Sequence, residues 1–90
     1  MNGDSKNNEK DASKGIDTMQ YIVARLISEA DDSLKDSREG PQNEFLFGRR
    51  EAYYEILDII KAKLDSHGFD LTRFGLDIDL EDKYLGRVLI

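Results

Sequence analysis

Few side chains in this sequence could do chemistry, and the single histidine, His67, is the most obvious of them. A histidine acts as a general base only when an oriented partner and a nucleophile or a metal ion lie within reach. No such residues stand at a suitable spacing. A cationic side chain in the last turn of a helix interacts favourably with the helix dipole, so we expect His67 to be structural. No catalytic residue, metal ligand or cofactor is predicted.

A group of aromatic and basic side chains is the stronger functional candidate. Phe47 and Tyr54 are one heptad apart in a predicted helix, and Arg50 and Lys61 lie close to them on the helical wheel, opposite the apolar face. Aromatic side chains and Arg are enriched at protein interfaces. These four residues, the aromatic stripe, are therefore predicted to bind a partner. The alternative is that the C-terminal segments cover the stripe within the same chain.

Residues 70–81, DLTRFGLDIDLE, form a segment that resembles the calcium-binding loop of EF-hand proteins. It has twelve residues, with Asp first, Gly sixth and Glu last. It departs from that loop at Phe74, which offers no side-chain oxygen at the fifth position, and at Asp77, where an apolar residue is usual. A small calcium-binding module is therefore an alternative, and a capped turn with solvated acids is favoured.

The tripeptide Asp32-Ser33-Leu34 resembles the sequence around the phosphopantetheine serine of acyl carrier proteins, which are also small, acidic and helical. The resemblance implies a covalent group carried on Ser33. In that family the serine begins an apolar helix, whereas here it stands late in a predicted helix. An acyl-carrier-like protein modified on Ser33 is kept as the second alternative.

Two amphipathic helices must position these residues. In the first, Asp17 is predicted as the N-cap and Gly40 as a left-handed C-cap, with Pro41 suited to the first turn of the next helix. In the central helix, from Phe45 to His67, one apolar arc is predicted to face the core. That arc contains Phe45, Leu46, Ala52, Tyr53, Ile56, Leu57, Ile59, Ile60 and Leu64. The short connection predicts an antiparallel hairpin.

The C-terminal residues are predicted to cover the groove of this hairpin. Gly68 fits the residue after a Schellman-type helix end, and Asp70 can cap one further turn that Gly75 closes. Leu76, Ile78 and Leu80 alternate with acids, which indicates an extended segment with one buried face. A last short helix then begins at Asp79 or Leu80, and its apolar side is formed by Tyr84, Leu85, Val88, Leu89 and Ile90.

Composition limits the classes of function. The chain has 13 basic and 19 acidic residues, a formal net charge of −6, and no cysteine. Because basic and acidic residues balance within residues 1–15, the negative charge belongs to the part that folds. Binding to nucleic acid or to anionic membrane is disfavoured, and no apolar run is long enough to span a bilayer. A cytoplasmic protein is expected.

The sequence thus predicts an all-α domain, residues 16–90, with a disordered leader, residues 1–15, that has too little apolar surface to fold. The domain is an antiparallel helical hairpin closed by one or two short C-terminal helices. Its expected function is that of a non-enzymatic protein-binding module, an adaptor, regulator or inhibitor. Its expected partner is a protein, and a weak homodimer is a further possibility.

Overall fold

The fold is a long helical hairpin with a C-terminal cover, seen in a computed structural model that describes residues 3–86, with side chains from residue 14 onward. Helix α1 runs over Gly3–Glu39 and α2 over Glu44–Ser66. A 3₁₀ helix, Leu71–Phe74, and helix α3, Leu80–Leu85, complete the order. Residues 3–86 contain no β-strand. The predicted all-α hairpin closed by short C-terminal helices is confirmed, and Val88, Leu89 and Ile90 lie outside the described residues.

Helix α1 begins well before the predicted cap. Asp17 is exposed inside the helix and is not its N-cap. Gly15 and Ile16 line a cavity with residues of α2 and of the 3₁₀ helix. In general a helix without packing partners depends on its own backbone hydrogen bonds, which stabilise short helices only marginally in water. Random-coil behaviour of the leader in solution stays a prediction.

The turn between the two helices is built differently from its prediction. Positive φ angles within residues 3–86 occur only at Gly68, Gly75 and Gly86, so Gly40 is not a left-handed cap. A Cβ at Gly40 would lie 2.9 Å from Cδ1 of Leu46, so a larger residue there would require the end of the Leu46 side chain to move. Helix α2 begins after Asn43, whose side chain accepts hydrogen bonds from the Phe45 and Leu46 amides.

The end of α2 follows its prediction in detail. Gly68 has φ +79°, and its amide donates to the Asp65 carbonyl while the Phe69 amide donates to the Leu64 carbonyl, each at 3.0 Å. These two bonds define a Schellman motif. Asp70 then caps the 3₁₀ helix, and Gly75, with φ +72°, ends it. The chain therefore reverses and returns along the hairpin.

The core lies between the hairpin and this returning segment. It contains two residues of α2, Leu57 and Leu64, and a larger set from the other elements: Val23, Ala30, Leu34, Phe74, Leu76, Leu80 and Tyr84. Small residues of α1 face α2, and the buried hydroxyls of Ser33 and Ser37 donate to carbonyls three residues earlier in their own helix. Leu76 and Leu80 are buried while Asp77 and Asp79 are exposed, which confirms the predicted alternation.

The predicted core arc of α2 is rotated from the observed one. Ile56 and Ile59 were expected in the core, yet their exposed fractions are 43% and 68%. Phe45 is exposed as well, at 74%. The reason is that α2 has two neighbours, α1 and the C-terminal segment, so its buried face is centred between them and extends to Tyr54, which packs against the core.

This rotation predicts contrasting effects of two neighbouring substitutions. Leu57→Ala removes a fully buried side chain and should lower the free energy of unfolding by about 2 to 5 kcal/mol, as large-to-small changes in cores do. Ile56→Ala should cost well under half as much, because Ile56 already contacts water. Thermal and urea unfolding of both variants measure the difference. Equal losses of unfolding free energy in the two variants would show that Ile56 is buried in the core, as the sequence predicted.

Candidate functional site

Two members of the aromatic stripe lie under the C-terminal segment. Tyr54 and Lys61 line a cavity of about 400 Å³ with residues 77–81. The Lys61 ammonium donates a hydrogen bond to the Ile78 carbonyl, and Tyr54 packs against the core. The C-terminal segment therefore covers this part of the stripe, as the alternative reading of the sequence predicted.

The other two members, Phe47 and Arg50, are also half-buried. The Arg50 guanidinium lies over the Phe47 ring, 4.9 Å from its centroid, and donates to the Ser37 hydroxyl at 3.4 Å. Its Nε is buried and has no hydrogen-bond partner among the described residues. The prediction that the stripe points away from the core is wrong, because Tyr54 packs against the core beneath the C-terminal segment and Arg50 contacts Ser37 of α1. Its role in binding a partner stays a prediction.

A polar cluster fastens the covering segment to α1. The Tyr84 hydroxyl donates to Asp31 at 2.6 Å, and the Lys83 ammonium lies 3.0 Å from the same carboxylate. Burial, and secondly the hydrogen bond to Asp31, raise the pKa of Tyr84 well above its ordinary value. The Gln20 amide also donates to the Arg73 carbonyl at 3.3 Å. These contacts identify one side of the hairpin as covered.

The residues singled out for chemistry have structural contacts. His67 is the C-cap residue of α2, and its Nδ1 lies 3.0 Å from the Lys63 carbonyl. Ser33 is fully buried, and its hydroxyl donates to the Ala30 carbonyl at 2.7 Å. A phosphopantetheine group needs an accessible hydroxyl, so the burial of Ser33 counts against the acyl-carrier alternative.

The acids of the segment that resembles an EF-hand loop are separated. The Asp70 carboxylate accepts hydrogen bonds from the Thr72 hydroxyl at 2.7 Å and amide at 3.1 Å, and these bonds lower the pKa of Asp70. The Asp79 carboxylate accepts from the Asp82 amide and caps α3. Leu76, between them, points into the core. Among the described residues, no three potential ligand side chains converge as a metal ion would require.

The other side of the hairpin has no covering segment among the described residues. On α1 that side is the face opposite Gln20 and Asp31, and on α2 it is the face opposite Lys61. The pair Asp36 and Arg49, 3.0 Å apart, joins the two helices there. The apolar residues of this surface, the open face, are Met19, Ile22, Leu26, Tyr53, Ile56 and Ile60.

The open face keeps large apolar side chains in contact with water. Ile22 is 46% exposed, Met19 40% and Ile56 43%, and Ile59 and Phe45 extend the same surface along α2. The sequence contained a signal for it, because the apolar arcs of both helices are wider than one neighbouring helix can bury. The sequence-based prediction assigned the full width of both apolar arcs to a single core. A contiguous apolar surface of this kind is typical of a binding site.

One end of the open face leads into an apolar cavity of about 200 Å³. Its lining consists of Gly15, Ile16, Met19, Leu64, Phe69 and Phe74. The rings of Phe69 and Phe74 meet edge to face with their centroids 6.0 Å apart, which fixes its floor. The Schellman turn positions Phe69, so the cavity is a consequence of how α2 ends.

Charge is distributed unequally between the two sides of the hairpin. Along the open face, Glu29 and Asp36 alternate with basic residues, Arg49 and Lys63, and the Arg49 guanidinium lies 5.7 Å from the centroid of the Tyr53 ring. The covered side has an acidic segment, residues 77–82. The open face is therefore the side on which a partner meets the least net negative charge.

Tyr84 gives a pH-dependent prediction. Tyr84→Phe should lower the free energy of unfolding by about 1.5 kcal/mol at neutral pH, since it removes a hydrogen bond to a charged carboxylate. The unfolded chain ionises tyrosine near pH 10, whereas the folded protein holds the Tyr84 proton to higher pH. The stability that Tyr84 contributes is thus complete below about pH 10 and is lost as the pH rises further.

Urea unfolding of both proteins at about pH 7 and about pH 11 checks this expectation. The difference between wild type and Tyr84→Phe should narrow at the higher pH, and groups common to both proteins cancel in that difference. A difference that stays constant across this range would show that Tyr84 is not shielded from ionisation.

Within residues 3–86, no helical segment combines the length and apolar content that crossing a bilayer requires. The chain matches no known protein-family model, and searches of curated proteins and of solved structures give no significant match.

Proposed function

We propose that this protein is a non-enzymatic protein-binding module, an adaptor, regulator or inhibitor, and that it binds its partner through the open face. The observation that carries this proposal is the exposure of Ile22 and Met19 on α1 and of Ile56 on α2, on the side of the hairpin that no described segment covers. A groove between helices lined by apolar side chains is the usual receptor for an amphipathic helix.

The free energy available at this surface is adequate for binding. Complete burial of a side chain such as isoleucine contributes about 1.5 to 3 kcal/mol, and roughly half of Ile22 and of Ile56 remains to be buried. With Ile59 and Met19 the apolar contribution reaches several kcal/mol. The mixed charges at the edge of the face add specificity rather than affinity.

The formal net charge of −6 supports a protein as the partner rather than nucleic acid or anionic membrane. We place the protein in the cytoplasm, and the absence of cysteine from the sequence is compatible with that reducing compartment. The two side chains that the alternatives would need, Ser33 and Asp70, are engaged in hydrogen bonds within the fold. These contacts favour binding over carrying a group or holding calcium.

Affinity capture from an extract of the native cell tests the proposal. Wild-type protein and Ile22→Asp are used as baits, and Tyr21→Asp serves as a matched control. Tyr21 is 67% exposed on the neighbouring position of α1 and lies outside the open face. We expect Ile22→Asp to reduce the captured protein at least tenfold and Tyr21→Asp to leave it unchanged. The chain's own untagged copy counts among the captured proteins.

Circular dichroism of both variants confirms that the hairpin is intact before the capture is compared. Equal capture by wild type and Ile22→Asp would show that the open face binds nothing, and the proposed function would then be wrong.

A further inference from the structure

We propose that the partner of the open face is a second copy of this chain, arranged antiparallel about a two-fold axis near Ile56, with the Phe45 ring of each copy in the apolar cavity of the other. The inference rests on the proposed function and specifies its partner. Three features of the surface support it: the spacing of Phe45 and the cavity, the side chains between them, and the area.

The spacing follows from the alignment of the two helices. The contact between Asp36 and Arg49 fixes which residues stand side by side in the antiparallel hairpin. By this alignment Ile56 stands level with Glu29, and Phe45 stands level with the C-terminal end of α1. Phe45 lies eleven residues before Ile56, or about 16 Å along the helix at about 1.5 Å per residue.

The cavity lies at the same distance on the other side of Ile56. Met19, at its mouth, is ten residues from the level of Glu29, or about 15 Å. A two-fold axis that crosses the helices at the position of Ile56 makes the second copy antiparallel to the first and places its Phe45 over this cavity. A volume of about 200 Å³ is sufficient, since an apolar cavity of about 150 Å³ holds a benzene-sized ring. Phe45 is the most exposed of the large apolar side chains, at 74%.

The residues between the axis and Phe45 are complementary in size. Under this symmetry Ile56 meets its own counterpart. Ala52 lies four residues before Ile56, and Ile59 lies three residues after it. The two-fold symmetry therefore places the small Ala52 of one copy against the large Ile59 of the other. Interdigitation of small and large side chains is how packed helices reach the density of a protein interior.

The charges at the edge are of both signs in this arrangement, and the two copies of Glu29 stand at the level of the axis, where like charges oppose the contact. Asp36 lies seven residues beyond the level of Glu29, and Arg25 lies four residues before that level. The two-fold symmetry therefore brings Asp36 of one copy to within about 5 Å of Arg25 in the other, measured along the helix axis. Arg49 approaches Lys63 of the second copy. The Asp36 carboxylate, 3.0 Å from Arg49, lies beside that pair and reduces its repulsion.

The area of the open face is that of a small stable interface. From Gly15 to Pro41 the hairpin is about 40 Å long, and two helices of about 10 Å diameter give it a width of about 20 Å. The product, roughly 800 Å², is the outline of the whole face, and it is of the same size as the area that each partner buries in an interface of standard size. Because the same patch is used on both copies, the assembly closes as a dimer.

Disulfide trapping tests the geometry directly, because the chain has no cysteine of its own. Ile56→Cys, at the axis, should form a covalent dimer rapidly in oxidised glutathione, since a disulfide requires Cα atoms within about 7 Å. Glu55→Cys is the matched control, an exposed neighbour that points away from the open face. Phe45→Cys mixed with Met19→Cys should give a crosslinked product that neither variant gives alone.

Sedimentation equilibrium of the full chain supplies the affinity. We expect a dimer at tens of micromolar, and a dissociation constant at least tenfold higher for Phe45→Asp. A monomer that persists to several hundred micromolar, or Ile56→Cys that crosslinks no faster than Glu55→Cys, would overturn the second copy as partner. Loss of capture by Ile22→Asp in the extract, found together with a monomer, would leave the proposed function standing. Failure of both experiments would refute both proposals.

Discussion

A pair of packed helices has two grooves along its length, and the segment that follows α2 covers one of them. The Schellman turn at Gly68 sends the chain back along the hairpin, and Leu76, Leu80 and Tyr84 are buried almost completely on that side. Among the residues that the structure describes, no segment covers the second groove. The open face therefore depends on the path of the chain after α2 as much as on its own residues.

The features that the sequence predicted correctly are local. Asp70 was predicted as a cap, Asp79 or Leu80 as the start of the last helix, Gly68 as a left-handed residue and Gly75 as the end of a turn, because each depends on a few neighbouring positions. The predicted turn at Gly40 was wrong in mechanism. Gly40 instead lies close to the end of the Leu46 side chain, six residues away in the next helix. The spacing of residues in the sequence does not show that Gly40 and the Leu46 side chain lie so close together.

The candidate site was predicted less well, for a reason of the same kind. A helical wheel shows that α2 has apolar residues over more than half of its circumference, and it does not show which neighbour buries which part. Tyr54 and Ile56 stand two positions apart, on opposite edges of the core. The C-terminal cover selects Tyr54 for burial and leaves Ile56 exposed, so the binding surface could be located only once that cover was placed.

The cover itself is attached in two ways. Its centre is apolar, while its edges are held by polar contacts near solvent: Lys61 to the Ile78 carbonyl, and Tyr84 and Lys83 to Asp31. Proteins open locally in cooperative units that often coincide with supersecondary motifs. Local opening of residues 71–85 would leave α1 and α2 paired and would uncover Tyr54 and Lys61. Amide exchange that is faster in this segment than in the centre of α2 would show that the cover opens at a lower free energy than the hairpin beneath it.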